Sequence, residues 1–320
     1  MKELQEKEKN TVKNQMTKNS RFRIGVVGAG QMGGGITQIC AQAGLATFVF
    51  DPNSSQLKRC QESIKNTLEK GKQKGKWTQE HSDETLKALT FCSTMDEFVS
   101  QLTKNNITPS NPSDSSNFDE LFLIEAATEQ KSLKFKIFLE LDQLLPKEAI
   151  LASNTSSISI TEIAAQTKRP DKVVGMHFMN PVPIMKLVEG IKGLETSEKT
   201  FQKTQELAVF LGKVFVTARD MPGFAVNRIL MPMINEAFFA LYEGIATASD
   251  IDQAMVLGTN VPMGPLTLAD FIGLDTCLSI LEVLYEGFKD PKFRPCPLLK
   301  QYVLSGRLGR KIKKGVFEYE

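Results

Sequence analysis

The chain has 320 residues, of which 41% are hydrophobic and 24% are charged, as in an ordinary globular protein. Its 39 Lys and Arg side chains nearly balance 37 Asp and Glu, so the overall charge does not attract nucleic acid and we expect no such partner. A single hydrophobic core stops growing at about 250 to 300 residues, so this length favours two domains.

The N-terminal segment and the five cysteines bear on the compartment. Residues 1–20 are polar, without an apolar run long enough for a signal peptide or a membrane span, and we expect a disordered tail. This tail has acidic residues and no Arg, unlike a mitochondrial presequence. The cysteines are scattered without a CxxC pair, which favours reduced thiols over disulfides or a metal site. We therefore expect a soluble intracellular protein without a membrane partner; the cytoplasm is favoured and the mitochondrial matrix stays open.

Short apolar runs alternate with amphipathic stretches from residue 22 to about residue 217, which is typical of βαβ units around a largely parallel sheet. The predicted strands are residues 22–27, 46–50, 121–125, 150–152, 173–177, 185–189 and 214–217. After Asp220 the apolar pattern becomes helical, and the predicted helices are residues 229–242, 251–257, 266–285 and 298–304. The domain boundary is therefore predicted near Asp220.

Two segments depart from this pattern. Residues 64–77 are a lysine-rich helix candidate, and such lysines most simply form a solvated face. Residues 103–117 are polar, contain Pro and Ser, and show no periodicity. A stretch of this kind cannot bury enough surface to order itself, so we predict a dispensable surface insertion.

A glycine motif follows the first predicted strand. Gly28, Gly30 and Gly33 form a GxGxxG pattern between that strand and a helix. The first glycine permits the tight turn, the second lets the backbone approach a pyrophosphate, and the third lets helix and strand pack closely. Glycines also occur in ordinary turns, so the motif alone is weak evidence for dinucleotide binding. The strand before it and the helix after it predict a dinucleotide-binding site.

The second predicted strand delivers Asp51, whose carboxylate can accept hydrogen bonds from both ribose hydroxyls. A 2′-phosphate would meet a like charge there, and no Arg stands among residues 52–54 to neutralise it, so NAD is predicted over NADP. Asp51 as a mere turn residue would not explain the glycines. The predicted fold class is α/β, with a Rossmann-type NAD-binding domain over residues 21–219 and an all-α domain over residues 220–320.

His177 closes one apolar strand, and Glu189 ends the next. If the chain reverses symmetrically about Pro183, these two residues become cross-strand neighbours at the sheet edge where α/β folds bind ligands. A neutral imidazole can take a hydroxyl proton near physiological pH, and a carboxylate can stabilise the imidazolium. A buried His satisfied by a chance carboxylate is the alternative.

Taken together, these motifs resemble the L-3-hydroxyacyl-coenzyme A dehydrogenases, which include bacterial 3-hydroxybutyryl-coenzyme A dehydrogenases. The resemblance covers nearly all of residues 23–319 and rests on the glycine motif, Asp51, residues 153–157, residues 177–181, Glu189 and residues 220–228. It implies reversible, NAD-dependent oxidation of (S)-3-hydroxyacyl-CoA to 3-oxoacyl-CoA, as in fatty-acid beta-oxidation or butanoate metabolism.

The resemblance also implies roles for the catalytic residues. His177 would be the general base with Glu189 as its partner, and Ser156 and Asn227 would hold the reacting oxygen or the thioester carbonyl. From the residues alone, Ser156 and Asn227 could instead each cap a nearby helix.

Other matched positions concern binding. Glu129 and Lys134 match positions that line the family's NAD site. Thr67 and Lys74 fall roughly where the family contacts coenzyme A, in a helix that no motif anchors. The acyl-CoA substrate and NAD are thus the implied small-molecule partners.

Helices near residues 229–239 carry apolar residues on more than one face, and the resemblance implies that this surplus is buried in a homodimer. Docking onto the chain's own dinucleotide domain is the alternative. Two other functions stay open: a sister NAD-dependent hydroxy-acid or sugar-acid dehydrogenase, and a non-catalytic, crystallin-like relative. The intact Ser156, His177, Glu189 and Asn227 argue against the second.

Overall fold

The computed structural model describes residues 22–104 and 120–320. The predicted tail at residues 1–20 and most of the predicted insertion at residues 103–117 lie outside this part of the chain. The described residues form two compact units that divide between Asp220 and Met221. None of the helices in the described part is long and apolar enough to cross a membrane.

In the described chain, the first unit is built around an eight-stranded sheet. Its strands are β1 (Phe22–Val27), β2 (Thr47–Phe50), β3 (Leu89–Cys92), β4 (Glu120–Glu125), β5 (Ile150–Ser153), β6 (Val173–Phe178), β7 (Leu187–Lys192) and β8 (Val214–Arg219). They lie in the order β3-β2-β1-β4-β5-β6-β7-β8. β1 to β6 run parallel, β7 pairs antiparallel with β6, and β8 runs parallel to β7.

Helices connect these strands. They are α1 (Gln31–Gln42), α2 (Ser54–Gln73), α3 (Gln79–Lys87), α4 (Met95–Thr103), α5 (Lys131–Leu144), α6 (Ile160–Ala164) and α7 (Glu198–Phe210). The central strands are almost wholly apolar, and Ile24, Val26, Phe122 and Ile124 are all 0% exposed. Such continuous apolar runs are typical of parallel strands buried on both faces. Because β1, β2, β4, β5 and β6 run parallel, their carboxyl ends share one edge of the sheet.

The seven predicted strands are observed, six of them with shifted ends, and β3 was missed. β3 has only four residues and lies at the edge of the sheet, half exposed, so its apolar pattern is too short to recognise. The strand predicted at residues 185–189 begins later, at Leu187. The reason is a turn in which Ile184 N and Met185 N both donate to Pro181 O at 3.0 Å.

The second unit is helical. It contains α8 (Val226–Tyr242), α9 (Ala248–Thr259), α10 (Pro265–Ile272), α11 (Leu274–Phe288) and α12 (Pro297–Leu304). Its core includes Ile234, Phe238, Leu281 and Leu284, each 0% exposed. The single helix predicted at residues 266–285 is wrong, because Gly273 adopts a φ of +105° that ends α10 and redirects the chain into α11.

Candidate active site

The glycine motif forms the turn between β1 and α1. Gly28 has a φ of +101°, and a Cβ there would lie 2.7 Å from Ala126 O. A Cβ at Gly33 would lie 1.8 Å from Gly28 O, so only glycine allows helix and strand to pack this closely. A Cβ at Gly30 would meet no atom of the described chain within 4 Å, and no described side chain caps α1. The open space and the uncapped N–H groups fit a bound pyrophosphate.

Asp51 follows β2 directly, beside this turn. Its Oδ2 accepts a hydrogen bond from Ala29 N at 2.9 Å, and its Oδ1 accepts one from Asn53 N at 2.8 Å. These bonds fix a half-buried carboxylate against the middle of the glycine motif. The arrangement fits the ribose end of a dinucleotide, as predicted from the sequence.

His177 on β6 and Glu189 on β7 face each other in the antiparallel register, and the predicted pairing is confirmed. His177 Nδ1 lies 2.8 Å from Glu189 Oε2. The side chains are 9% and 0% exposed, respectively, so the contact is well shielded from water. A hydrogen bond between an imidazole and a buried carboxylate orients the ring and sets its tautomer, as a general base requires.

The side chain of Glu129 accepts hydrogen bonds from the loop after β5. Its Oε1 accepts hydrogen bonds from Thr155 Oγ1 (2.6 Å), Ser156 N (2.8 Å), Ser156 Oγ (3.1 Å), Ser157 N (3.1 Å) and Ser157 Oγ (2.9 Å). Burial acts to raise the pKa of Glu129, but the Lys134 ammonium and these hydrogen bonds outweigh it, and the pKa lies below its ordinary value of 4.5. The structure thus brings together Glu129 and Ser156, which were predicted separately.

Lys134 lies beneath this loop between two carboxylates. Its Nζ is 2.7 Å from Glu125 Oε1 and 3.4 Å from Glu129 Oε2. The side chains of Lys134 and Glu125 are both 0% exposed, whereas that of Glu129 is 36% exposed. We therefore expect Lys134 to act on a ligand through Glu129, and its predicted place in the NAD site stays a prediction.

The two capping alternatives are wrong. α6 begins beyond Ser156, and its cap is the side chain of Ser159, which accepts a hydrogen bond from Glu162 N. The N-cap of α8 is Ala225, with no side-chain capping bond within the described chain. Asn227 lies in the first turn of α8 and is 8% exposed. The predicted roles of Ser156 and Asn227 in catalysis are left as predictions.

Thr67 and Lys74 lie on and just after α2. This helix begins earlier than the predicted start at residue 64, because the Asn53 side chain caps it by accepting from Ser55 N at 3.0 Å. Thr67 Oγ1 donates to Ser63 O at 2.8 Å within the helix, and Lys74 is exposed. Their predicted contact with coenzyme A stays a prediction.

The NAD binding domain of 3-hydroxyacyl-CoA dehydrogenase matches residues 23–104 and 96–221, and the C-terminal domain of the same enzyme matches residues 223–319. This chain belongs to the 3-hydroxyacyl-CoA dehydrogenase family. The resemblance seen in the motifs is confirmed, as are the NAD cofactor and the Rossmann-type domain followed by a helical domain.

Relatives match this dehydrogenase along nearly all its length. The probable 3-hydroxybutyryl-CoA dehydrogenase of Bacillus subtilis is 47% identical over 298 residues, which are 93% of this chain and 97% of that protein. The 3-hydroxybutyryl-CoA dehydrogenase of Bradyrhizobium diazoefficiens is 46% identical and covers 93% and 95%, respectively. The crystal structure of (S)-3-hydroxybutyryl-CoA dehydrogenase from Ralstonia eutropha has a TM-score of 0.85 at 43% identity, covering 94% of this chain and 100% of that one.

Two residues that shape the site of this dehydrogenase were missed. Glu125 ends β4, where it accepts from Ser153 Oγ and Ala127 N, both at 2.7 Å, besides its ion pair. Asn154 Oδ1 accepts from Phe178 N at 2.9 Å, and Phe178 follows His177 directly in β6. A carboxylate ending a wholly apolar strand was the available signal for Glu125. For Asn154 the residue type alone carries no specific signal.

Proposed function

We propose that this dehydrogenase oxidises the 3-hydroxyl of an (S)-3-hydroxyacyl-CoA thioester to the 3-oxo compound, reversibly and with NAD. The contact between His177 and Glu189 carries the proposal, because it sets an oriented base at the sheet edge that also holds the glycine motif. NAD, when bound, supplies the hydride acceptor. The other steps fall to side chains of this chain.

His177 moves the proton. A carboxylate can only accept, so the contact with Glu189 favours the tautomer with its proton on Nδ1, in which Nε2 is the ring nitrogen that takes the hydroxyl proton of the substrate. The Glu189 carboxylate then stabilises the imidazolium through the same 2.8 Å contact. In the reverse direction the imidazolium returns this proton to the oxygen of the 3-oxo group. The surrounding burial strengthens the interaction, since little water screens it.

Ser156 and Asn227 hold the reacting end of the substrate. Ser156 belongs to a loop that Glu129 fixes through five hydrogen bonds, so its hydroxyl is presented from an ordered position. Thr67 and Lys74 bind the coenzyme A moiety. The names of the relatives support a short acyl chain, and their bacterial sources support a cytoplasmic enzyme.

Reduction of acetoacetyl-CoA by NADH tests the proposal against its alternatives. We expect kcat/KM for acetoacetyl-CoA to exceed that for free acetoacetate by at least about 10²-fold, because the coenzyme A contacts position the reacting carbonyl. The measurement is the loss of NADH absorbance. Equal turnover of free acetoacetate would favour a hydroxy-acid or sugar-acid dehydrogenase. Tight NADH binding without turnover of either compound would favour a non-catalytic relative.

Asp51 is predicted to select NADH over NADPH by about 10²-fold or more in Kd, because the 2′-phosphate would approach its carboxylate. Asp51→Ser should narrow this preference, mainly through weaker NADH binding as the ribose acceptor is lost. Fluorescence titration with both cofactors measures the effect. Asp96→Ser, which removes an exposed carboxylate from α4, is the control and should keep the preference. Equal affinity of the unmodified protein for both cofactors would contradict the prediction.

We propose a homodimer built on the second unit. This unit exposes Ile229, Ile245, Leu257 and Leu304 at 74%, 71%, 75% and 86%, respectively. Large apolar side chains exposed in such number on a small unit indicate an interface, and obligate dimers bury more than about 2,000 Å².

Sedimentation equilibrium should therefore give twice the 35.6 kDa chain mass. Ile229→Asp should shift the protein toward monomer, because a charge would be buried between the subunits. Leu194→Asp is the matched control: it places a charge on a residue that is 80% exposed in the first unit, and the dimer should persist. A species of chain mass at all concentrations of the unmodified protein would refute the dimer.

A further inference from the structure

A buried lysine contacts the segment that joins β6 to β7. Residues 179–186 of this segment are called the dyad turn, because they join the strands that carry His177 and Glu189, the dyad. Lys213 lies between α7 and β8 and is 9% exposed. Its Nζ donates to Val182 O at 2.6 Å and to Met185 O at 2.8 Å. A cation from another part of the first unit thus ties together two carbonyls of the dyad turn.

Burial makes this placement of Lys213 costly unless its donors are satisfied. Both hydrogen bonds of its ammonium in the described chain go to the dyad turn. Burial lowers the pKa of Lys213 below its ordinary value of 10.5, and the neighbouring Cys40 thiol acts in the opposite direction. A lysine on a solvated face would show neither the two hydrogen bonds to backbone carbonyls nor the lowered pKa. The two carbonyls are therefore what holds the side chain inside the fold.

The dyad turn also rests on α1, the helix of the glycine motif. A Cβ at Gly35 would lie 2.8 Å from Val182 Cβ, so the helix backbone touches the turn directly. Gln31 Nε2 donates to Asn180 Oδ1 at 3.1 Å. The dyad turn is consequently held both by Lys213 and by the helix that begins at the dinucleotide site.

The position of the dyad in the β6–β7 ladder makes this support matter. Phe178 and Val188 form the pair nearest the dyad turn, and His177 and Glu189 form the next. The ends of a ladder open most easily, so a loosened turn disturbs the Phe178–Val188 pair first and the adjacent His177–Glu189 pair directly after it. A misplacement of reacting groups by about 1 Å can lower a rate about 10²-fold.

We propose that Lys213 is a positioning residue for the dehydrogenase reaction: through the carbonyls of Val182 and Met185 it holds the dyad turn and thereby keeps His177 and Glu189 in register beside α1. The proposal rests on the proposed function, since it acts through the dyad. Lys213 itself touches no reacting atom in this scheme.

Lys213→Met tests the proposal, with Lys186→Met as the control on an exposed lysine of the same turn. We expect Lys213→Met to lower kcat for acetoacetyl-CoA about 10- to 10²-fold, with kcat calculated from the concentration of sites that bind NADH. KM and the Kd of NADH should stay within about 3-fold of the values of the unmodified protein. In a Glu189→Gln background the same substitution should lower kcat by less than about 3-fold, because the dyad is already broken. Lys186→Met should change none of these quantities.

A contrary result would be that Lys213→Met lowers kcat in the Glu189→Gln background by the same factor as in the otherwise unmodified protein. That result would show that the lysine is merely structural and would overturn the proposal. Wild-type kcat in Glu189→Gln alone would instead refute the dyad, and the proposal with it. If Lys213→Met does not fold, Gly35→Ala displaces the dyad turn at its contact with α1. It should show the same loss and the same dependence on Glu189, and wild-type kcat in that variant would overturn the proposal. Gly34→Ala, whose Cβ would meet the Cys60 Sγ at 3.3 Å, is its control.

Discussion

His177→Ala is expected to lower kcat for acetoacetyl-CoA about 10²- to 10⁴-fold, the range for losing a positioned acid or base. The fold and the NADH affinity should survive, because the glycine motif and Asp51 do not depend on the imidazole for their hydrogen bonds. Steady-state kinetics and NADH titration on the same preparation measure both. A loss confined to KM would contradict the assignment of His177 as the base.

Glu189→Gln separates the orienting role from the chemistry. The amide keeps the size of the side chain but removes the charge 2.8 Å from His177 Nδ1, so the imidazolium loses its stabilisation. We expect a loss of kcat in the same range, and the dependence of the oxidation rate on pH should change. Glu84→Gln, which alters an exposed carboxylate of α3, is the control. Wild-type turnover with an unchanged pH profile would show that the two residues do not act as a pair.

The contact between His177 and Glu189 could be predicted from the sequence because it follows from strand register. Two apolar runs flank a Pro-containing turn, and a one-residue slip would move every core side chain of β7 to the opposite face. The glycine motif was predictable for a similar reason, since steric limits at Gly28 and Gly33 leave no other residue type. Local geometry fixed both features.

The Glu125–Lys134 pair could not be predicted in the same way. Lysines on an amphipathic helix are normally solvated, and although Lys134 lies in line with the buried Ile137 and Leu141, this spacing does not name a partner for it. Its partner ends a strand, and the contact exists only after α5 packs on the sheet. The division of residues 266–285 at Gly273 could not be predicted for a different reason, because an isolated glycine is tolerated within many helices.

Lys134→Met is expected to destabilise the first unit by about 3 to 5 kcal/mol, the usual effect of removing one partner from a buried ion pair. The substitution leaves the Glu125 carboxylate at 0% exposure without the cation 2.7 Å away. Urea unfolding followed by the fluorescence of Trp77 measures the change, because this is the single Trp of the chain and it packs against α2 in the first unit.

The control is Lys131→Met on the same helix. Lys131 pairs with Glu162 at 2.7 Å, but these side chains are 53% and 50% exposed, so its loss should change stability by at most about 1 kcal/mol. Adding Glu125→Gln to Lys134→Met removes the unpaired charge and should recover most of the lost stability. A double variant as unstable as Lys134→Met alone would mean that lost packing of the lysine chain, and not the unpaired carboxylate, causes the destabilisation. Equal effects of Lys134→Met and Lys131→Met would show that burial adds nothing to the Glu125–Lys134 pair.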